Sequence, residues 1–206
     1  MSAPLSADDA TRLQERVAGG GVAVFPTDTV YGVCCDPDSE SAAERLYELK
    51  GRPPARPAAV MFFTLERALD ALGELAQAEQ SALAALLPGP VTLLLANPQL
   101  RFAAACRTNP ATLGLRVPRL PEHLRALEAM SMGVMQSSAN LTGEPDARTL
   151  DQVPASLREG ADVVLDGGEL PGVASSVIDL RDYAAEGSWR LLREGAMSRQ
   201  AIESAL

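Results

Sequence analysis

Aromatic residues are scarce in this 206-residue chain: four Phe, three Tyr and one Trp. That is too few for a surface on which nucleobases stack in succession. Positive charge is also in deficit, with 18 Lys and Arg against 27 Asp and Glu and a net charge of -9. A long non-specific nucleic-acid track needs a basic face, so that class is set aside. Histidine occurs once, at His123 in the polar run Pro121-Glu122-His123-Leu124-Arg125. It reads as an exposed helix residue, which leaves little room for Ser-His-Asp catalysis or His-ligated metals. Cys34, Cys35 and Cys106 match no zinc spacing and read as buried, reduced thiols. The sequence therefore gives no protein-held metal site. No apolar run approaches the ~20 residues that span a bilayer. The start, Met1-Ser2-Ala3-Pro4-Leu5, lacks the basic end and apolar core of a signal peptide, so the expected location is the cytoplasm.

What is present is ordinary globular composition, 47% hydrophobic and 22% charged. Residues 1–206 read as one domain, without repeat, linker or low-complexity tract. The chain is organised around Lys50-Gly51-Arg52-Pro53-Pro54-Ala55-Arg56-Pro57. Prolines at 53, 54 and 57 fix φ and remove donors, so this piece is extended or turned. A stiff cationic loop on an acidic chain suits an anionic ligand; a solvated turn is the alternative.

Read in order, Ser6 with Asp9 starts a helix whose stripe is Ala10, Leu13 and Val17. Gly19-Gly20-Gly21 ends it before the strand Val22-Ala23-Val24-Phe25. The glycines do not match G-x-x-x-x-G-K-[ST] and precede a strand, so they read as a turn. Pro26-Thr27-Asp28-Thr29-Val30-Tyr31-Gly32 places hydroxyls and a carboxylate past a strand end, where ligands sit in open α/β sheets; a plain Asx/Thr turn is equally consistent. Ser41 and Glu44 read as the capping box of the helix that ends at Lys50, with Gly51 at its C-cap. Ala58–Phe62 reads as a strand, followed by a Thr64-capped helix and another over 79–87. Pro88-Gly89-Pro90 stops that helix before the strand Val91–Leu95, and 97–111 reads as irregular. Thr112–Pro118 alternates as a strand, with Arg116 needing an acidic side chain or a ligand carboxylate. A helix at 121–130 leads to a strand at 133–135. It opens into Ser137-Ser138-Ala139-Asn140-Leu141-Thr142-Gly143, a loop able to hold phosphate or ribose, or else a polar turn. Strands at 162–165 and 175–180, the segment Trp189–Gly195 and a helix from Ser198 complete the chain.

These segments together resemble the YrdC-like threonylcarbamoyl-AMP synthases, in the short single-domain form. The resemblance rests on Pro26–Gly32, Lys50-Gly51-Arg52, Pro88-Gly89-Pro90-Val91-Thr92, Leu115-Arg116-Val117-Pro118, Ser138-Ala139-Asn140 and Leu192-Arg193-Glu194-Gly195. It implies a single α/β domain: a twisted, open, mostly parallel or mixed sheet with flanking helices around a ligand cavity. It also implies that L-threonine, bicarbonate and ATP, with Mg²⁺ carried on the nucleotide, give threonylcarbamoyl-AMP and pyrophosphate. Other proteins then transfer the group to tRNA; direct tRNA binding is not expected of so acidic a chain. By family position Lys50, Arg52, Arg56, Thr112, Ser138, Asn140 and Arg193 face the nucleotide, with Lys50 and Arg52 neutralising charge in the reaction. Thr29, Tyr31, Arg116 and Ser175 face threonine, and Arg116 offers its carboxylate a bidentate guanidinium. Arg56 stands where relatives commonly have Lys, and Met61 where they often carry His. An ATP-binding paralogue acting on another carbamoyl or acyl adenylate, and a non-catalytic RNA-binding protein, are the alternatives.

Overall fold

The computed structural model describes residues 3–53 and 55–206; Met1, Ser2 and Pro54, the middle proline of the cationic loop, lie outside the described residues. Helix α1 (Ala7–Ala18) starts where the sequence places it: the Ser6 side chain accepts from Asp9 N and the Asp9 carboxylate returns to Ser6 N at 2.9 Å. Its stripe Ala10, Leu13 and Val17 is buried. Strand β1 (Ala23–Phe25) follows, then β2 (Gly32–Cys35), which the sequence does not announce. All four residues of β2 are buried, so the apolar/polar alternation that marks a half-exposed strand is missing.

Helix α2 (Glu40–Leu49) is capped by Ser39, not Ser41: the extended Ser39 accepts from Ala42 N, whereas Ser41 lies inside the first turn. Strand β3 (Ala59–Met61), helices α3 (Leu65–Leu72) and α4 (Gln77–Leu86) and strand β4 (Val91–Ala96) follow. Thr64 caps α3 as expected. The 97–111 stretch contains one short helix, α5 (Ala103–Cys106), ahead of β5 (Thr112–Arg116). Residues Glu122–Ala129 wind as a 3₁₀ helix, and His123 is half-buried there, with Nε2 3.2 Å from Gly167 O. This corrects the exposed reading. Strand β6 (Val134–Ser138), α6 (Ala155–Gly160), β7 (Val163–Val164), β8 (Ser176–Asp179), α7 (Tyr183–Glu186), β9 (Arg190–Arg193) and α8 (Arg199–Ala205) complete the fold.

The strands form one open, mixed sheet in the order β7-β1-β2-β6-β3-β5-β4-β8-β9. Pairs β1/β7, β3/β5 and β4/β8 are parallel and the other neighbours antiparallel. One cross-sheet row decides where a ligand can lie. It runs Cys34–Gln136–Ala59–Gly114–Leu94–Asp179–Arg190 through successive registers. At its centre Ala59 and Gly114 are half-buried, so the middle of the sheet has almost no side chain above it. A Cβ at Gly114 would already sit 3.3 Å from Ala59 Cα. The opposite face is filled by Val60, Leu93, Leu113, Leu115 and Met135, each at most 1% exposed. Cys34, Cys35 and Cys106 are free and buried, as expected. Among the described residues no helix is long and apolar enough to cross a membrane.

Candidate functional site

The end of α2 sets the site. Gly51 takes a left-handed φ of 56°. Arg52 N donates to Tyr47 O and Gly51 N to Glu48 O, at 2.9 and 3.0 Å. This paired closure of the last turn needs glycine at the reversal. It sends Lys50 and Arg52, two residues apart, in different directions.

Lys50 goes inward and is 2% exposed. Its Nζ donates to Ser138 O, to Asn140 O at 2.8 Å and to Asn140 Oδ1 at 3.3 Å. An ammonium has three N–H groups and no acceptor, so three carbonyl oxygens match it. Burial, then the neighbouring Arg52 charge, pull its pKa down to about 8, against a smaller opposing pull from Asp146. Ser138 Oγ donates to Asn140 Oδ1 at 2.6 Å, and Asn140 Nδ2 to Glu144 O at 2.6 Å. Lys50 thereby staples the 138–144 loop to the cationic loop.

Arg52 turns toward the open sheet face. Its Nη1 donates to Ser137 Oγ at 2.8 Å and its Nη2 to Pro57 O at 2.5 Å, while its Nε is buried without a partner. The guanidinium lies 5.5 Å from the Tyr47 ring centroid, and Arg107 lies 4.6 Å from the same ring.

Between these loops and β8–β9 lies a cleft of about 230 Å³. Ala58 and Ala59 lie at its base; Arg52, Ser137, Ser138 and Gln136 line one side, and Thr92, Ser175, Val177 and Arg193 the other. Arg116 and Asp146 complete the polar lining. Three guanidinium groups with one carboxylate make this concavity electropositive on an acidic protein. A larger depression of about 600 Å³, around His123, Asp151, Asp166 and Glu169, has no Lys or Arg among its lining residues. For an anion the smaller cleft is the site.

Arg116 is 3% exposed. Its Nη2 donates to Asp28 Oδ1 at 2.8 Å and to Thr29 Oγ1 at 3.2 Å; its Nε is buried and unpartnered. Both readings of this arginine thus apply: it has an acidic partner and it faces the cleft. The bidentate engagement expected from sequence is curtailed, because Asp28 and Thr29 already hold one prong. Burial pushes Asp28 up against the pull of Arg116. Burial first, opposed by Asp28, and then the like charge of Arg193 weaken the proton's hold on Arg116. Across the cleft Arg193 donates to Ser175 O at 3.1 and 2.8 Å, and the Ser175 and Thr92 hydroxyls are 2.8 Å apart. The turn after β9 is pressed onto this segment: a Cβ at Gly195 would run into Ala174 O and the Ser175 carbonyl.

Of the residues expected at the site, Arg52, Ser138, Arg116, Ser175 and Arg193 are brought to one cleft. Lys50, Asn140 and Thr29 stand directly behind its wall. Thr112 lies four residues along β5 from Arg116, with its hydroxyl 3.4 Å from Arg181 Nη1. Arg56 is exposed on the loop, where its carbonyl takes the Tyr47 hydroxyl. Tyr31 is not in the lining. Its ring is fully buried, and its hydroxyl donates toward Asp166 Oδ1 and Gly168 O and accepts from Gly167 N, at 3.0, 2.9 and 2.9 Å. Sequence reasoning placed Ser137 in the phosphate-holding loop without singling it out, and missed Gln136, Thr92 and Asp146. Gln136 was signalled by a polar residue inside an apolar strand, Thr92 by the strand after Pro88-Gly89-Pro90, and Asp146 by nothing. Met61 is fully buried on β3, in register with Arg116.

An open mixed sheet with a cationic cleft above a bare patch of floor defines an α/β domain whose concavity suits small anionic ligands. The chain belongs to the Sua5/YciO/YrdC family, described as "Telomere recombination", whose profile matches residues 15–195. It is 30% identical over 189 residues to the threonylcarbamoyl-AMP synthase of Pyrococcus abyssi, across 91% of this chain and 54% of that protein. It is 27% identical over 186 residues to the Bacillus subtilis enzyme of that name, across 90% and 53%. The chain thus spans about half the length of these curated relatives. Against the Klebsiella pneumoniae enzyme of that name it is 34% identical over 146 residues, 69% of this chain and 76% of that one. The crystal structure of P. abyssi Sua5 complexed with L-threonine superposes with a TM-score of 0.85 at 27% identity, over 98% of this chain and 58% of that one. E. coli YciO, at TM-score 0.80 and 23% identity over 96% and 94%, shares the fold.

Proposed function

We propose that this chain is a threonylcarbamoyl-AMP synthase, taking L-threonine, bicarbonate and MgATP to threonylcarbamoyl-AMP and pyrophosphate in the cytoplasm. The observation that carries the proposal is the convergence of Arg52, Arg116 and Arg193 on one cleft with the Ser137, Ser138 and Ser175 hydroxyls. The threonine amine joins bicarbonate with loss of water, giving a carbamate. A carbamate oxygen then attacks the α-phosphorus, and the bond to the bridging oxygen breaks with its electron pair leaving on pyrophosphate. Two anions must meet, and fixed cations lower that cost without reorganising.

Arg52 and Arg193, on opposite sides of the cleft, neutralise the phosphates, and the Ser137 hydroxyl, which accepts from Arg52 and keeps its own proton free, donates to their oxygens. Arg116 meets the threonine carboxylate through its free Nη1 end, beside the Ser175 and Thr92 hydroxyls. Lys50 and Asn140 act from behind the wall by fixing the 138–144 loop. The nucleotide brings its own Mg²⁺; Asp146, the one carboxylate among the lining residues, suits a water of that ion's shell. No side chain serves as a covalent nucleophile, so rate enhancement comes from positioning and charge. The adenylate then passes to separate proteins that modify tRNA.

The test follows pyrophosphate release from ATP with each component omitted in turn. Release that requires both L-threonine and bicarbonate is expected. Equal release without threonine overturns the reading and leaves an ATP-using paralogue; retention of RNA in filter binding with a steep salt slope would favour the non-catalytic alternative.

A further inference from the structure

We propose that Asp28 is the positioning residue for Arg116, and thereby for the amino-acid half of the substrate; this rests on the synthase reading above. Arg116 and Asp28 have side chains 4% and 5% exposed and meet at 2.8 Å. An arginine side chain has four rotatable torsions, and a buried guanidinium without a fixed anion would be costly in both entropy and solvation. Asp28 removes both costs, because its two oxygens have separate tasks. Oδ1 takes Arg116 Nη2, and Oδ2 takes the backbone N–H of Arg119 at 3.0 Å. The carboxylate is therefore tied at once to the guanidinium and to the turn that follows β5. Thr29, the next residue, adds its hydroxyl to the same Nη2 at 3.2 Å. Thr29 is itself held, its Oγ1 3.1 Å from Thr27 Oγ1.

The arrangement has a chemical consequence. Nη2 is fully committed to the protein, so the planar group is locked with its Nη1 end toward the cleft. A substrate carboxylate then meets a guanidinium of fixed orientation and partly balanced charge. Recognition becomes directional, and product retention by an uncompensated cation is avoided. Asp28 touches neither the nucleotide side nor the reacting phosphorus in this arrangement, so its effect falls on threonine alone.

The experiment measures KM for L-threonine, KM for ATP and kcat in the intact chain for the wild type, Asp28→Ala, Asp28→Asn and Asp28→Glu, with thermal unfolding of each and calorimetric titration of L-threonine. Asp28→Ala is expected to raise the threonine KM and Kd at least tenfold while the ATP KM stays within twofold. Asp28→Asn, which keeps one acceptor but loses the charge, is expected to fall between, and Asp28→Glu to restore part of the affinity. An unchanged threonine KM in a folded Asp28→Ala overturns the inference, as does a rise in both KM values together, which marks general disruption. A wild type that shows no threonine dependence overturns the synthase reading instead, a result separable from the first.

Discussion

Raising the pH should strip the proton from Lys50 well before it would leave an ordinary lysine, and the chain allows this to be watched in isolation. Lys50 is its only lysine; the other 17 of its 18 Lys and Arg are arginines. Burial and Arg52 bring its pKa from 10.5 to about 8. That difference corresponds to about 3 kcal/mol at ~1.4 kcal/mol per pH unit, an upper bound because the three carbonyl contacts favour the charged form. The sign follows from proton counts. Below about pH 8 both folded and unfolded chains hold the proton. Between about 8 and 10.5 the unfolded chain keeps it while the folded one has released it, so stability rises with pH across this window. Nucleotide affinity should move the other way, falling above about pH 8 as a cation behind the cleft wall is lost. With lysine selectively labelled by ¹⁵N, the protein should give a single Nζ resonance titrating near 8. Urea unfolding at pH 7.5 and 10 should give a larger gain for the wild type than for Lys50→Met. A resonance that titrates near 10.5, with equal gains in both proteins, would refute the reasoning and place Lys50 in open solvent.

Arg52→Ala removes the contacts to Ser137 Oγ and Pro57 O. It should cost about 1–2 kcal/mol in urea unfolding but reduce turnover by ~10²–10³-fold; unfolding of the variant would make the loop structural instead. Tyr31→Phe deletes the hydroxyl that clamps Asp166, Gly167 and Gly168. Stability should fall by about 1–3 kcal/mol with the threonine KM within twofold; a selective rise in that KM would put Tyr31 on the substrate. Burial holds the Cys34 thiol far above its usual range and Cys35 up at about 12. An aromatic disulfide reagent should therefore leave both untouched in the native protein over minutes and titrate three thiols after unfolding, whereas fast native reaction would contradict the packing.

Most of the fold was legible because its signals are local. The Ser6–Asp9 box, the Thr64 and Ser198 caps and the apolar runs at 91–95 and 112–116 each follow from residues within a few positions. β2 was not legible, since a strand buried on both faces carries no alternation to read. The Ser39 cap was missed because Ser41 with Glu44 imitates a capping box two residues later. At the site, the cationic loop and the hydroxyl loop pointed to Arg52 and Ser138 by residue type, Arg116 stood out as a cation in an apolar strand, and Ser175 and Arg193 came only from the family resemblance. Sequence could not separate side chains that face the cleft from those that hold the ones facing it. Lys50 and Arg52 differ in this way only because Gly51 reverses the chain between them. Tyr31 follows the same logic: the preceding Val30 lines the site, while the Tyr31 ring is buried and its hydroxyl is held by Asp166, Gly167 and Gly168.

The strand order has a consequence for how the protein is made. β6 lies between β2 and β3, with Gly32 opposite Ser138. The edge of β2 must therefore wait until more than a hundred further residues have been synthesised before it finds its partner. Such late, long-range closure makes for slow folding and leaves an unpaired strand open to other chains meanwhile. The hydroxyl loop arrives on the strand that performs this closure, so one wall of the cleft and release from that hazard come in one step, while the opposite wall waits for β8 and β9.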